Sequence, residues 1–287
     1  MTWRPLRPTI SFMPLPILAV AQGLDAADLV RLFHRTGLCL GQQLGEASDL
    51  DCGTAIASAR WPAIADANHM WDASLAPGQS PRQAVDEAAA HFAAAGSECG
   101  FWVINPAEPL ERTQPLAEYL QSHGWHAKSA TIFHLQKAPP PLKPNSDGLM
   151  VIPARASFRH AHDLAMCSAM LIDPAHAAAL ADANMARLDD PHWDAMLALQ
   201  NGQPVAHIGV LSVGDMGRID GLFVHPDHRG RGLARLMLAR AMEVCIRSVF
   251  RHVFAEIDLG NAAAVHLAQT GGFEPIGSMV RLMRGGI

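Results

Sequence analysis

The sequence predicts an α/β (α+β) chain in two domains of similar build, and three observations lead there. Short apolar runs of strand length alternate with longer amphipathic segments along the chain. Lys137-Ala-Pro-Pro-Pro-Leu-Lys-Pro-Asn-Ser-Asp-Gly148 puts four prolines in twelve residues, so it suits neither a helix nor a central strand and reads as a stiff, extended linker. The two sides of that linker end alike. Gly124-Trp125 matches Gly272-Phe273, and Ile132 then matches Val280 at the same offset of eight. The predicted domains are 1–136 and 149–287, joined by 137–148.

At 287 residues the chain is long for one such domain and suited to two. A hydrophobic fraction of 49% with 17% charged residues supplies buried cores and argues against disorder. The net charge of −5, with no long basic run, argues against a nucleic-acid partner and favours a cationic amine. The five cysteines are odd in number and never in Cys-x-x-Cys spacing, so neither a disulfide framework nor a zinc site is expected. Histidines are densest at His160-Ala-His162-Asp163 and His225-Pro-Asp-His228. The first group lies on a helix where residues two apart diverge, and the second falls in a glycine-rich loop, so no metal is expected. No run of eighteen apolar residues occurs, and no membrane span is predicted. Arg4 and Arg7 before an apolar stretch ending Leu18-Ala19-Val20-Ala21 imitate an export leader, but Pro14 and Pro16 break that stretch.

In chain order, residues 16–21 read as a strand, and Asp25 caps a helix carrying Leu29, Val30, Leu32 and Phe33. Signals over 62–77 are mixed, with Trp61, Met70 and Trp71 as buried anchors. Ser80-Pro81 caps an alanine-rich helix over 83–95. A strand at 100–104, a helix at 115–123 and a strand at 130–135 close the first domain. The second opens with a strand at 149–153 and a helix at 158–170, followed by a helix and loop over 171–193. Asn201-Gly202 joins strands 193–199 and 203–213 as a hairpin. A strand at 219–224, a helix at 233–247, a strand at 253–259 and a helix capped by Asn261 complete the pattern.

The chemistry concentrates where strand 219–224 meets helix 233–247. Gly230 and Gly232 let a backbone approach an anion with no Cβ in the way, and the free N–H groups of a helix start favour a pyrophosphate. Arg229-Gly230-Arg231-Gly232-Leu233-Ala234 fits Arg/Gln-x-x-Gly-x-Gly/Ala after Val-x-Pro, and Asn261-Ala-Ala-Ala264-Val-His-Leu267 is followed by Gly272-Phe273. Together these resemble the acetyl-coenzyme A loop and the last helix and strand of the GNAT family of N-acetyltransferases, over about residues 149 to 287. No such loop precedes the linker, and Gly37, Gly41 and Gly45 are spaced by four without that pattern, so the first domain reads as a degenerate copy.

The resemblance implies that each domain is a mixed, mostly antiparallel twisted sheet flanked by helices, with central strands that splay apart in the second copy. It implies that Leu222, Phe223 and Val224 offer backbone groups to pantetheine, while Arg229, Gly230, Arg231, Gly232, Leu233 and Ala234 hold the pyrophosphate. Asn261 would touch the cofactor, cap its helix, or do both. Acetyl-CoA, a cytosolic metabolite, implies a cytoplasmic protein. An acceptor amine with a pKa of about 10 is mostly protonated at neutral pH, so a base is useful. Glu256 is the first candidate residue, since family members that acetylate protein N-termini carry a glutamate five residues before the helix asparagine, and Asp220 is the second; a mechanism without a dedicated base is the alternative to both.

Many members place a tyrosine seven residues after that asparagine to protonate the leaving thiolate, whereas this chain has Ala268, and its one tyrosine is Tyr119. Water, His266 or the neighbouring domain would then assist. The expected function is transfer of an acetyl group to a primary amine, on a small molecule or a peptide N-terminus. The alternative is a non-catalytic CoA-binding module for regulation or assembly. A homodimer is compatible with either.

Overall fold

The structure is a computed structural model, and it describes residues 24–137 and 148–284. The strand expected at 16–21, the leader-like segment and linker residues 138–147 lie outside the described residues.

The first half opens with α1 (Ala26–Gln42), whose cap Asp25 accepts the Asp28 N–H at 2.8 Å. Three strands follow, β1 (Glu46–Leu50), β2 (Gly53–Ala57) and β3 (His69–Ala73). The β1–β2 hairpin was not foreseen, because Glu46-Ala-Ser-Asp-Leu50 has few β-branched or aromatic residues and lies mostly exposed at the sheet edge. Helix α2 (Pro81–Ala94) starts in a capping box, with Ser80 and Gln83 exchanging side-chain-to-backbone bonds and Pro81 in the first turn. Strand β4 (Phe101–Ile104), helix α3 (Leu110–Ser122) and strand β5 (Trp125–Leu135) complete this half. Helix α3 begins five residues before Pro115, at Leu110, so the proline sits inside it rather than at its start.

The glycines at 37, 41 and 45 serve packing. A Cβ at Gly37 would fall 2.1 Å from the Trp71 ring, one at Gly41 2.9 Å from His69, and one at Gly45 2.8 Å from Ile56. The spacing of four lets α1 and the turn after it lie close against the sheet, and no phosphate cradle forms there.

The second half comprises β6 (Leu149–Pro153), α4 (Phe158–Ile172), α5 (Ala177–Ala186), β7 (Trp193–Gln200) and β8 (Gln203–Val213). Asn201 and Gly202 take positive φ of 51° and 79° between the last two, as a tight hairpin requires. Then come β9 (Met216–Val224), α6 (Leu233–Arg247), β10 (His252–Ile257), α7 (Ala262–Thr270) and β11 (Phe273–Arg284).

The eleven strands of the described residues form one sheet, in the order β1-β2-β3-β4-β11-β5-β10-β9-β8-β7-β6. Two neighbouring pairs are parallel, β3–β4 and β9–β10, and the rest are antiparallel. The sheet does not divide at the linker. Strand β5 of the first half lies against β10 of the second, and β11 of the second lies against β4 of the first. The two exchanged strands pair with each other from Phe273↔Leu135 to Arg284↔Trp125. These are the strands that open with the matched Gly-aromatic pairs.

The cores are shared in the same way. Phe133 and Leu135 of β5 are buried with Ile208, Met237, Met242 and Phe273 of the second half, while Leu282 of β11 is buried with Trp102, Leu116 and Leu120 of the first. Between them α1 presses Phe33 onto the seam, edge-on to Phe254 at 5.8 Å and beside Ile132 and Met279. Burying side chains of this size is worth roughly 1.5–3 kcal/mol each, so removing either half would strip apolar cover from the other. Burial pushes the Cys52, Cys99 and Cys245 thiols up to about 12, which makes them packing residues.

Candidate functional site

Strands β9 and β10 pair only over Met216–Ile219 and His252–Ala255. Beyond that point β9 turns away. Gly221, at φ +65°, and Leu222 together face the single residue Ile208 of β8, a bulge that bends β9. Phe223 and Val224 remain paired with His207 and Ala206 of β8, while Glu256 and Ile257 pair with Ile132 and Thr131 of β5. The facing edges of β9 and β10 are left apart, which leaves backbone groups available to a ligand running between them.

At the mouth of this gap the chain makes a short helical turn over Pro226–His228, and Arg229 folds back to donate from Nε to the Val224 carbonyl at 3.1 Å. Gly230 and Gly232 take φ of +74° and +79°, and a Cβ at either would meet open space. Gly232 caps α6 without a side chain, and the first helical bond runs from the Leu236 N–H to the Gly232 carbonyl at 3.1 Å. The N–H groups before it point out of the helix start with its partial positive charge. Leu233 is buried and anchors the turn, whereas Arg231 is exposed. Asn261 caps α7 by accepting the Ala264 N–H at 3.1 Å and is otherwise exposed.

The gap leads into a cavity of about 620 Å³. Its walls come from both halves: Gly37, His69, Trp71 and Phe101 on one side, Leu222, Phe223, Arg229 and α5 residues on the other. Both candidate carboxylates reach it. Glu256 is clamped, taking Arg218 Nη2 at 3.0 Å and Arg281 Nη2 at 2.7 and 2.6 Å, and its side chain is 10% exposed. Asp220 is freer: Oδ1 takes the Gly221 N–H at 2.7 Å, Oδ2 is 3.9 Å from Arg218 Nε, and the side chain is 35% exposed. Asp258 shares the face of Glu256, pairs with Lys128 at 3.3 Å and is held below the usual carboxylate range by the Gly260 N–H and Lys128. His207 also lines the cavity, and burial lowers its imidazole to about 4, so the ring is neutral at pH 7. Ala268 is 4% exposed in the core, and Tyr119 stacks on His123 in α3, away from the cavity lining.

Arg187, Arg281, His207 and Lys128 were not singled out from the sequence. They converge through the topology, and no local spacing marks them. Among the described residues there is no group of three or more His, Cys, Asp or Glu side chains arranged to hold a metal, and no helix long and apolar enough to cross a membrane.

Residues 160–273, which include the splay and the helix start, match the family model described as Acetyltransferase (GNAT) family. They form a GNAT acetyltransferase domain. An Escherichia coli (strain K12) protein named L-amino acid N-acyltransferase MnaT is 39% identical over 74 residues, which is 23% of this chain and 42% of that relative. The chain therefore spans less than half of its length. A GCN5-related N-acetyltransferase from Kribbella flavida has a similar structure, with a TM-score of 0.63 at 18% identity, over 93% of this chain and 97% of that one. A conserved protein of unknown function from Staphylococcus epidermidis ATCC 12228 gives 0.61 at 14% identity, over 85% and 95%. At such identities the likeness is one of fold, and it extends beyond the GNAT domain to nearly the whole chain.

Proposed function

We propose that this protein is a cytoplasmic acetyl-CoA-dependent N-acetyltransferase that acetylates a primary amine by direct attack within a ternary complex. The observation that carries the reading is the parting of β9 from β10, which runs from a glycine-rich helix start into a cavity with charged walls. The N–H groups from Gly230 to Ala234, with Arg229 and Arg231, hold the pyrophosphate. Pantetheine follows Leu222, Phe223 and Val224 into the gap, and Asn261 meets the cofactor from α7. The first half, a degenerate copy over 1–136 without a loop of this kind, supplies the opposite wall of the acceptor site through His69, Trp71 and Phe101. By its name the E. coli relative acts on L-amino acids, which belong to the same broad class of amines.

Within the cavity the amine nitrogen attacks the thioester carbonyl, the C–S bond breaks, and an amide and free CoA result. Glu256 and Asp220 divide the work. Accepting a proton would cost Glu256 its bonds to two guanidinium groups, so it holds those groups in place. Asp220 has an oxygen less committed and takes the proton, directly or through water, a contribution of about 10²- to 10⁴-fold. Water protonates the departing thiolate, because the position of the usual tyrosine is the buried Ala268. That missing hydroxyl is also what supports the second reading, a CoA-binding module without turnover. Thiol release from acetyl-CoA, measured over a panel of amines, amino acids and short peptides, separates the two. Amine-dependent release supports the transferase, and saturable acetyl-CoA binding with no release across the panel supports the module.

A further inference from the structure

The cavity lining carries five cationic side chains, Lys128, Arg187, Arg218, Arg229 and Arg281, against four carboxylates, Asp66, Asp220, Glu256 and Asp258, and the close ion pairs among them are uneven. Arg218 is only 4% exposed, lies over the Phe33 ring at 4.6 Å, and shares the single carboxylate of Glu256 with Arg281. Asp220 is a loose second contact at 3.9 Å. Arg218 Nε and Nη1 and Arg281 Nε find no acceptor among the described residues. Arg187, 11% exposed at the end of α5, likewise has an unpartnered Nε, and its carboxylate contact is Asp66 at 3.8 Å, itself 64% exposed. Lys128 differs, since Asp258 answers it at 3.3 Å. The Trp71 indole N–H, buried in the same wall, also lacks an acceptor. Desolvating a cation is costly unless an anion meets it, and here three guanidinium groups have one close carboxylate between them.

We propose that the acceptor itself carries the missing anion: an amine bearing a carboxylate, held by Arg187 and the part-exposed face of Arg281, with its amino group turned toward Asp220 and the splay. This rests on the acetyl-transfer reading and narrows its substrate class. It also qualifies the expectation from net charge, because the overall −5 favours a cationic amine while the cavity lining carries one more cation than carboxylate. Arg218 is sealed beneath the cavity wall and acts as a positioning residue through Glu256. Arg281 at 29% exposure and Arg187 at 11% still present guanidinium edges to the lumen.

The test uses the full chain with pairs of compounds that differ only in the charge: L-amino acids against their amides in thiol release from acetyl-CoA, and N-acetyl-L-amino acids against their amides in calorimetry on the CoA-loaded protein. The acid member of each pair is expected to be preferred roughly 10- to 100-fold, the range of a hydrogen bond to a charged group. Arg187→Gln should abolish most of that preference by raising KM for the acid member of each pair. Arg281→Gln also releases Glu256, so the Arg187 variant is the one that decides. Selective binding of the acid without any turnover would support the subsite and overturn the transferase instead. Equal binding of acid and amide, binding of neither, or an acid preference unchanged in Arg187→Gln would overturn the subsite.

Discussion

Asp220 and Glu256 stand on the two strands that part, and their partners separate them. Glu256 answers two arginines at 2.6 to 3.0 Å, while Asp220 has only its neighbour's N–H at close range. Asp220→Asn is therefore expected to lower kcat/KM by roughly 10²-fold or more at neutral pH with acetyl-CoA affinity unchanged. The loss should shrink at high pH, where the amine is already neutral. Glu256→Gln should act first on stability, since it leaves two guanidinium groups with one fewer charge, a cost on the order of 3 kcal/mol read as a lower Tm. A Glu256→Gln protein of unchanged Tm with turnover lost would reverse the two roles. The glycine-rich turn and the helix start at 229–234 were legible at this scale because backbone torsions and helix-start N–H groups are local properties. Arg187 and Arg281 were not, because only the folded sheet brings residues so far apart in sequence to one cavity.

The exchanged strand β5 and its neighbour β10 carry a second device, a pair of histidines at the seam. His134 of β5 and His252 of β10 lie 3.3 Å apart between ring nitrogens, both buried. Burial and its partner push His134 down to about 4, and burial lowers His252 as well. His69 and His207 are lowered to about 4 by burial too. Each imidazole binds its proton less readily in the folded chain than at its ordinary value of 6.5, so the unfolded chain holds more protons between those values. Stability then falls as the pH drops from about 6.5 to about 4 and loses little more from these groups below that. A Tm profile should show this slope, and His134→Leu should make it shallower while His69, His207 and His252 still contribute; a flat profile over that window in the wild type would contradict the account. Most elements were legible from capping and alternation, as in α1, α2, the Asn201-Gly202 hairpin and α6. The β1–β2 hairpin was not, since an exposed edge strand needs no apolar face, and α3 was started late by treating Pro115 as a first-turn proline.

Across the whole molecule, the repeated ending marked the right strands but not where they go. Sequence similarity between 124–132 and 272–280 is a statement about local build, whereas the exchange of β5 and β11 depends on how long-range contacts are satisfied. The expectation that 149–287 is a free-standing unit changes with it, because that piece lacks β5 between β10 and β11 and β4 on the other side of β11, which exposes one edge of β10 and both of β11. Residues 146–287 alone are expected to aggregate or to bind acetyl-CoA weakly, and co-expression with 1–140 to restore binding. Full affinity in the isolated second half would show that the exchange contributes nothing to the site.

The proposed entry of acetyl-CoA at the start of α6 is tested most directly by calorimetry of the full chain. Gly232 sits at φ +79° with open space where a Cβ would point, so Asn, which tolerates that torsion, controls for backbone strain, and Glu adds a negative charge against the pyrophosphate. Saturable acetyl-CoA binding by the wild type, largely kept in Gly232→Asn and abolished in Gly232→Glu at equal Tm, is the predicted result. No binding by the wild type, or equal affinity in Gly232→Glu, would contradict it.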